Sequence, residues 1–125
     1  MSVKTLFEIS GKTALVTGAT GSLGGAMARM LGKEGVRVAA VSRTVDRAEA
    51  AAAAIRDAGG EADAFAGDVQ NRDDVEKIVQ GVKDRWGRID ILVNAAGGND
   101  PGATASPDLR FFDLPADALE NVMRL

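Results

Sequence analysis

The 125-residue chain contains no cysteine, no histidine and no tyrosine. The first absence removes disulfides and thiolate nucleophiles. The other two remove the usual metal-binding imidazole and the commonest general acid–bases after the carboxylates. Any chemistry therefore falls to Ser, Lys, Asp, Glu or a bound cofactor, and no metal site is expected. Charge of one sign is lacking as well: 15 Lys+Arg against 18 Asp+Glu leave a net charge of −3. Without a basic field, nucleic acid is not an expected partner. No apolar run approaches the ~18 residues of a membrane helix. Met1 to Ser10 carries Lys4 and Glu8 with no apolar targeting core, so no membrane partner is expected and residence is expected to be cytoplasmic. What is present, 46% hydrophobic and 26% charged residues, suits one soluble domain or part of one.

Glycine, at 15 residues, is the one over-used type, and it is clustered. The apolar run Thr13 to Val16 ends at Thr17-Gly18 and is followed by Leu23, Met27, Met30 and Leu31 at helical spacing. This reads as strand, glycine turn, helix. Val36 to Val41 then reads as a second strand, and Val45, Ala48, Ala52 and Ile55 mark a second helix that stops at Gly59-Gly60. Ala62 to Val69 is a weaker third strand. Val75, Ile78, Val79, Val82 and Trp86 form one stripe of an amphipathic third helix, with Asn71 and Asp74 placed as N-cap and acidic first turn and Trp86 read as core. Ile89 to Asn94, apolar at Ile91, Leu92 and Val93, reads as a central strand covered on both faces. A Gly/Pro/Asp-rich stretch runs from Gly97 to Asp113, and a last helix opens at Pro115 with Leu119, Val122 and Met123 on one side. Four rounds of strand and helix, with Gly35, Gly59 and Gly87 as stops, imply parallel crossovers and a doubly wound α/β sheet.

The segment Thr17-Gly18-Ala19-Thr20-Gly21-Ser22-Leu23-Gly24-Gly25 lies between the first strand and the first helix. Glycines are needed there so that the chain reverses, a pyrophosphate can approach the backbone, and the helix start can pack on the strand. Free N–H groups and the helix dipole then hold the anion. The Gly-Lys-Ser/Thr ending of a nucleoside-triphosphatase loop is missing, so ATP hydrolysis is not supported.

In these residues the sequence resembles the short-chain dehydrogenase/reductase family, whose first turn reads Thr-Gly-x-x-x-Gly-x-Gly. Asp68-Val69 resembles the family's adenine-contacting pair. Trp86-Gly87-Arg88-Ile89-Asp90-Ile91-Leu92-Val93-Asn94-Ala95-Ala96-Gly97 resembles its helix-to-strand segment ending Asn-Asn-Ala-Gly. The resemblance spans essentially the whole chain and implies a Rossmann-like sheet, here its first four strands. Two positions depart from the pattern, Ser22 for the second glycine and Ala95 for the second asparagine. Ser22 can still offer its N–H and hydroxyl to phosphate. The run Asn94 to Asn99, with a Pro-Gly loop and Phe-Phe-Asp after it, looks most like sugar-acid oxidoreductases of the mannonate/fructuronate type.

In this fold a carboxylate about 20 residues past the glycines selects NAD through its ribose 2′-OH, whereas arginine accommodates the 2′-phosphate of NADP. The position falls on Ser42-Arg43, so NADP is the expected cofactor with NAD second; the alternative is a solvated loop arginine. The expected binding residues are Thr17, Gly18, Thr20, Ser22, Leu23, Gly24, Ser42, Arg43, Asp68, Val69, Asn94, Ala95, Ala96 and Gly97. Asp68 is otherwise a turn carboxylate and Asn94 otherwise a strand-exit residue. Phe111-Phe112 either lines a substrate mouth or staples the next helix.

The family's chemistry rests on a Tyr with a Lys four residues on, a Ser, and an Asn that the resemblance would place just beyond Leu125. With no tyrosine, no catalytic residue is assigned. The expectation is that residues 1–125 are the N-terminal, cofactor-binding part of a cytoplasmic oxidoreductase. The full-length enzyme would transfer hydride to or from a small-molecule carbonyl or alcohol and form a dimer or tetramer, and the chain alone would be inactive. The alternative is a stand-alone nucleotide-binding or regulatory module, which would have to hide the open side of its fourth strand. A methyltransferase-like domain would want an acidic residue before its first glycine, where Leu15-Val16-Thr17 supplies none.

Overall fold

A computed structural model describes residues 3–97 and 103–124, so Gly98, Asn99 and the Pro101-Gly102 loop lie outside the described residues. Contacts divide the chain into two units, Met1–Ala95 and Ala96–Leu125.

In the first unit a short helix α1 (Val3–Leu6) precedes β1 (Thr13–Thr17), α2 (Ser22–Lys33), β2 (Arg37–Ser42), α3 (Val45–Asp57), β3 (Glu61–Ala66), α4 (Arg72–Trp86) and β4 (Ile91–Asn94). The four strands form one sheet in the order β3-β2-β1-β4, every pair parallel. The strand–helix alternation expected from the sequence is therefore present. The second to fourth strands begin or end up to three residues from where hydrophobicity alone placed them. Gly35, Gly59 and Gly87 do close helices α2, α3 and α4, all three with left-handed φ between 80° and 93°.

Alternation along the strands sorts side chains to two faces. Ala14, Val16, Val38, Ala40 and Ala62 pack with Ala28, Ala51, Ala52 and Ile55 of α2 and α3. Leu15, Ala39 and Val41 point the other way, onto Ile78 and Val82 of α4, with Phe65, Val79, Trp86 and Ile89 half-buried at the margin. Trp86 is thus at the edge of the core; its ring meets Phe65 edge-on at 6.4 Å. Each fully buried Val or Ile contributes about 1.5–3 kcal/mol of transfer free energy.

Two expectations are corrected by this packing. The face of α2 that meets the sheet is the small one, Gly24, Gly25, Ala28 and Gly32, whereas Leu23 and Met30 are largely exposed. A Cβ on Gly32 would stand 2.7 Å from Ile55 Cγ2, so the close approach of α2 to α3 admits no larger residue. In α3, Ala51 takes the place expected for Val45, which is exposed. Among the described residues, β4, the strand read as central, pairs with β1, and Leu92 is 60% exposed, while α4 covers the sheet over β1, β2 and β3.

Both outer strands are pinned by charged side chains. At the start of β4, the Asp90 carboxylate accepts from the Thr13 amide (2.9 Å) while the Asp90 amide donates to Thr13 O (2.9 Å). Arg88 Nε completes the group, donating to Asp90 at 2.9 Å. The Arg88 hydrogen bond, then the Thr13 amide, hold the Asp90 carboxyl below its ordinary value, and the same contact raises Arg88. At β3, the Gly67 amide donates to Ser42 O, so odd-numbered amides face β2 and Ala62 and Ala64 face the open side. There Arg56 Nε donates to Ala62 O (3.0 Å) and the Ala64 amide donates to Asp63 Oδ1 (2.9 Å). Arg56 from α3 and Arg85 from α4 both reach Asp63, at 3.8 and 3.2 Å. Two of the groups that a strand added beside β3 would need, Ala62 O and the Ala64 amide, are thereby occupied.

The second unit carries a 3-10 turn (Phe111–Asp113) and α5 (Ala116–Met123). Pro115 stands at the N-cap of α5, its carbonyl accepting from the Leu119 amide at 3.3 Å. Ala118 is the buried residue of α5, whereas Leu119 and Met123 are exposed. Phe111 and Phe112 touch each other edge-on at 5.3 Å and are both exposed.

Candidate functional site

Parallel strands put all four carboxyl ends on one edge of the sheet. Thr17 lies level with Val41 of β2 on one side and Asn94 of β4 on the other, and Ser42 lies level with Ala66. From β1 the chain winds outward through β2 to β3, then returns to place β4 on the opposite side of β1. The order reverses between β1 and β4, where a crevice opens beyond the strand ends in such sheets. The Thr17-to-Gly25 turn sits at that point.

The turn is built by close approach. Gly18 adopts φ +65°, a left-handed conformation that other residues rarely take, and its carbonyl accepts from the Gly21 amide at 3.0 Å. Ala19 is buried, its amide directed to Val41 O at 3.4 Å. A Cβ on Gly24 would fall 2.2 Å from Gly18 O and 3.0 Å from Ala95 Cβ, so glycine alone allows α2 to start against the ends of β1 and β4. The departure at Ala95 thus lies beside the helix start. Thr17 Oγ1 donates to Val93 O at 3.4 Å, tying β1 to β4 just below the turn.

The first intrahelical bond of α2 runs from the Gly25 amide to Gly21 O (2.8 Å), leaving the Ser22, Leu23 and Gly24 amides ahead of it. The N-cap is Gly21, which offers no side chain, and the first turn has no acidic residue. The other long helices differ. Thr44 Oγ1 accepts from the Arg47 amide and Asp46 follows in α3; Asn71 Oδ1 accepts from the Asp74 amide and Asp73 and Asp74 follow in α4. The positive end of the α2 dipole is thus neither capped nor neutralised within the described residues, and Thr20 and Ser22 stand exposed beside it. This arrangement can hold an anion by backbone amides and two hydroxyls.

Arg43, just past β2, is exposed, and among the described residues its guanidinium has no carboxylate partner. Ser42 is half-buried at the strand end, its carbonyl held by Gly67. Past β3, Asp68 and Val69 are exposed. Asp68 Oδ1 accepts from the Gln70 amide at 2.9 Å, the turn role weighed for it from sequence, and its own amide donates to Asp74 Oδ2 at 2.9 Å. Asn94 is exposed at the end of β4 and Ala95 half-buried. Ala96 and Gly97 belong to the second unit, so Thr17, Gly18, Thr20, Ser22, Leu23, Gly24, Ser42, Arg43, Asp68, Val69, Asn94 and Ala95 share one sheet edge. Sequence reasoning missed the tie from Asp74 to Asp68. Its signal was Gly67, where a Cβ would lie 2.9 Å from Ile78 Cδ1 and 3.2 Å from Asp74 Cβ. Among the described residues no group of three or more acidic side chains is placed to hold a metal ion, and no helix is long and apolar enough to cross a membrane.

The family model described as short chain dehydrogenase matches residues 12–125. The uncharacterized oxidoreductase UxuB of Bacillus subtilis is 42% identical over 115 residues, covering 86% of this chain and 41% of that protein. A structure of F189W actinorhodin polyketide ketoreductase with NADPH is 34% identical with a TM-score of 0.77, covering 90% of this chain and 41% of that one. A candidate D-mannonate oxidoreductase from Haemophilus influenza with bound NAD is 28% identical with a TM-score of 0.81, covering 99% and 48%. The chain therefore spans less than half the length of these relatives. With a parallel sheet reversing at β1, an uncapped glycine turn and a match from Lys12 to Leu125, this chain belongs to the short-chain dehydrogenase family of oxidoreductases.

Proposed function

We propose that this chain holds a nicotinamide dinucleotide, NADP(H) in preference to NAD(H), for an oxidoreductase acting on a small carbonyl or alcohol. The observation that carries the reading is the uncapped, acid-free start of α2 at the β1–β4 reversal, with Arg43 one strand away. The bound cofactor would supply hydride transfer at the nicotinamide ring. The chain's residues bind and orient it. Backbone amides of Ser22, Leu23 and Gly24, with the Thr20 and Ser22 hydroxyls, take the pyrophosphate, and Gly18 lets it approach the backbone. Arg43, beside Ser42, pairs with the 2′-phosphate. Asp68 accepts from the adenine amino group with its remaining lone pairs while Val69 packs on the ring. Thr17, Asn94 and Ala95 fix the strand ends beneath, and Ala96 and Gly97 extend the β4 motif.

The tyrosine, lysine and serine chemistry of the family has no tyrosine to rest on within residues 1–125, so these residues are assigned positioning and no proton transfer. Similarity to the candidate mannonate oxidoreductase supports a sugar acid as substrate class. The test is a calorimetric comparison of Arg43→Ala with the wild type. The variant is expected to lose about 10- to 100-fold in NADP+ affinity, the worth of a charge-assisted contact, with NAD+ affinity unchanged. Equal binding of both cofactors by the wild type, or an unaffected variant, contradicts the preference.

A further inference from the structure

Asp74 lies on α4, outside the set of residues assigned to the dinucleotide, yet its side chain is spent on the loop that carries two of them. At the third helical position after an Asn N-cap, an acidic side chain ordinarily reaches back to the N-cap amide, completing a reciprocal box. Here the Asn71 amide is already given to Asp68 O at 2.9 Å. Asp74 Oδ2 instead accepts from the amide of Asp68, six residues before it, at 2.9 Å. Asn71 Oδ1 in turn accepts from the Asp74 amide at 3.2 Å, fixing the start of the helix from which Asp74 reaches. With the Gln70 amide on Asp68 Oδ1, the Asp68 residue is held at its amide, its carbonyl and one carboxylate oxygen. Gly67 closes the arrangement. A side chain there would collide with Ile78 and press on Asp74, so the chain leaves β3 lying flat on the first two turns of α4.

We propose that Asp74 is a positioning residue for adenine recognition: it sets the orientation of Asp68, and so the discrimination of an adenine from a base lacking its 6-amino group. The proposal rests on the reading of Asp68 as the acceptor of that amino group. The loop is solvent-exposed, and an untethered Asp68 would pay the ordering cost on binding, so the tether lowers the free energy of the contact through preorganisation. No other side chain among the described residues takes the Asp68 amide.

The experiment measures affinity of the 125-residue chain for NADP+ and for its hypoxanthine analogue, in which the amino group is replaced by a carbonyl oxygen. The wild type is expected to prefer the adenine form by about fivefold or more, one hydrogen bond's worth, and Asp68→Ala to lose the preference. Asp74→Ala is expected to reduce it to less than half while Asp74→Asn, which keeps an acceptor oxygen, restores it. Should Asp74→Ala fail to fold, Asp74→Glu keeps the negative charge at the helix start but displaces the acceptor, and is expected to lose the preference with α4 intact. Preference unchanged in Asp74→Ala or Asp74→Glu, with Asp68→Ala still losing it, overturns the role of Asp74 alone. A wild type or Asp68→Ala that does not follow expectation overturns the reading of Asp68, and this inference with it.

Discussion

Gly24 and Gly87 are both glycines for reasons the structure separates. At Gly24 the backbone is helical and the obstacle is matter: an added Cβ would meet Gly18 O at 2.2 Å, a backbone atom that cannot move without opening the turn. At Gly87 there is open space, and the obstacle is φ +80° at the end of α4. Gly24→Ala should cost about 3 kcal/mol, the upper part of the overpacking range, and dinucleotide binding should disappear. Gly87→Ala should cost about 1 kcal/mol and leave binding intact. Denaturant midpoints with binding titrations measure both; equal costs would mean that the turn is looser than described. Sequence order alone revealed the Gly18–Gly24 turn, because strand, glycines and helix are adjacent in the chain. It could not reveal that Asp74 holds Asp68, because that contact depends on how α4 sits on the end of β3.

Strands and helices were read well where a hydrophobic period was unambiguous, as in α4, whose Ile78 and Val82 are buried as the stripe required. They were misread where size and position outweigh hydrophobicity. In α2 the leucine and methionines drew attention, but closeness to the sheet is set by what is missing, the side chains of Gly24, Gly25 and Gly32. Besides parallel pairing and the Thr17 hydroxyl, the Arg88–Asp90–Thr13 group holds β4 to β1, and it makes a prediction about acid. Asp90 has a folded value lowered beneath its unfolded one, so its stabilisation is full above the unfolded value and is lost as pH falls through the folded value. The stability difference between wild type and Asp90→Asn, followed by chemical denaturation from about pH 7 to about pH 2, should therefore be largest near neutrality and shrink toward acid. A difference independent of pH would show that the carboxylate's charge plays no part.

Sheet order decides where function can be. Strand directions alone would give one edge of carboxyl ends; the reversal at β1 selects a single point on it, and there the chain sets Gly18, Gly21, Gly24 and Gly25 with Arg43 one strand away, while capping the other long helices with Thr44 and Asn71. Fold class and the identity of the phosphate turn followed from local order in the sequence. The neighbours across the edge did not, since Ser42, Asp68 and Asn94 come from segments separated by dozens of residues and meet only through parallel pairing. The central claim is that the carboxyl edge, and no other part of the first unit, receives the dinucleotide. An amide-resolved NMR titration of the chain with NADP+ tests it directly. The account predicts shifts concentrated at Gly18 to Gly24, at Arg43 and at Asp68-Val69, with Gly11, Gly35 and Gly59 at the opposite edge silent. Shifts centred on that opposite edge, or none at saturating NADP+, would contradict it.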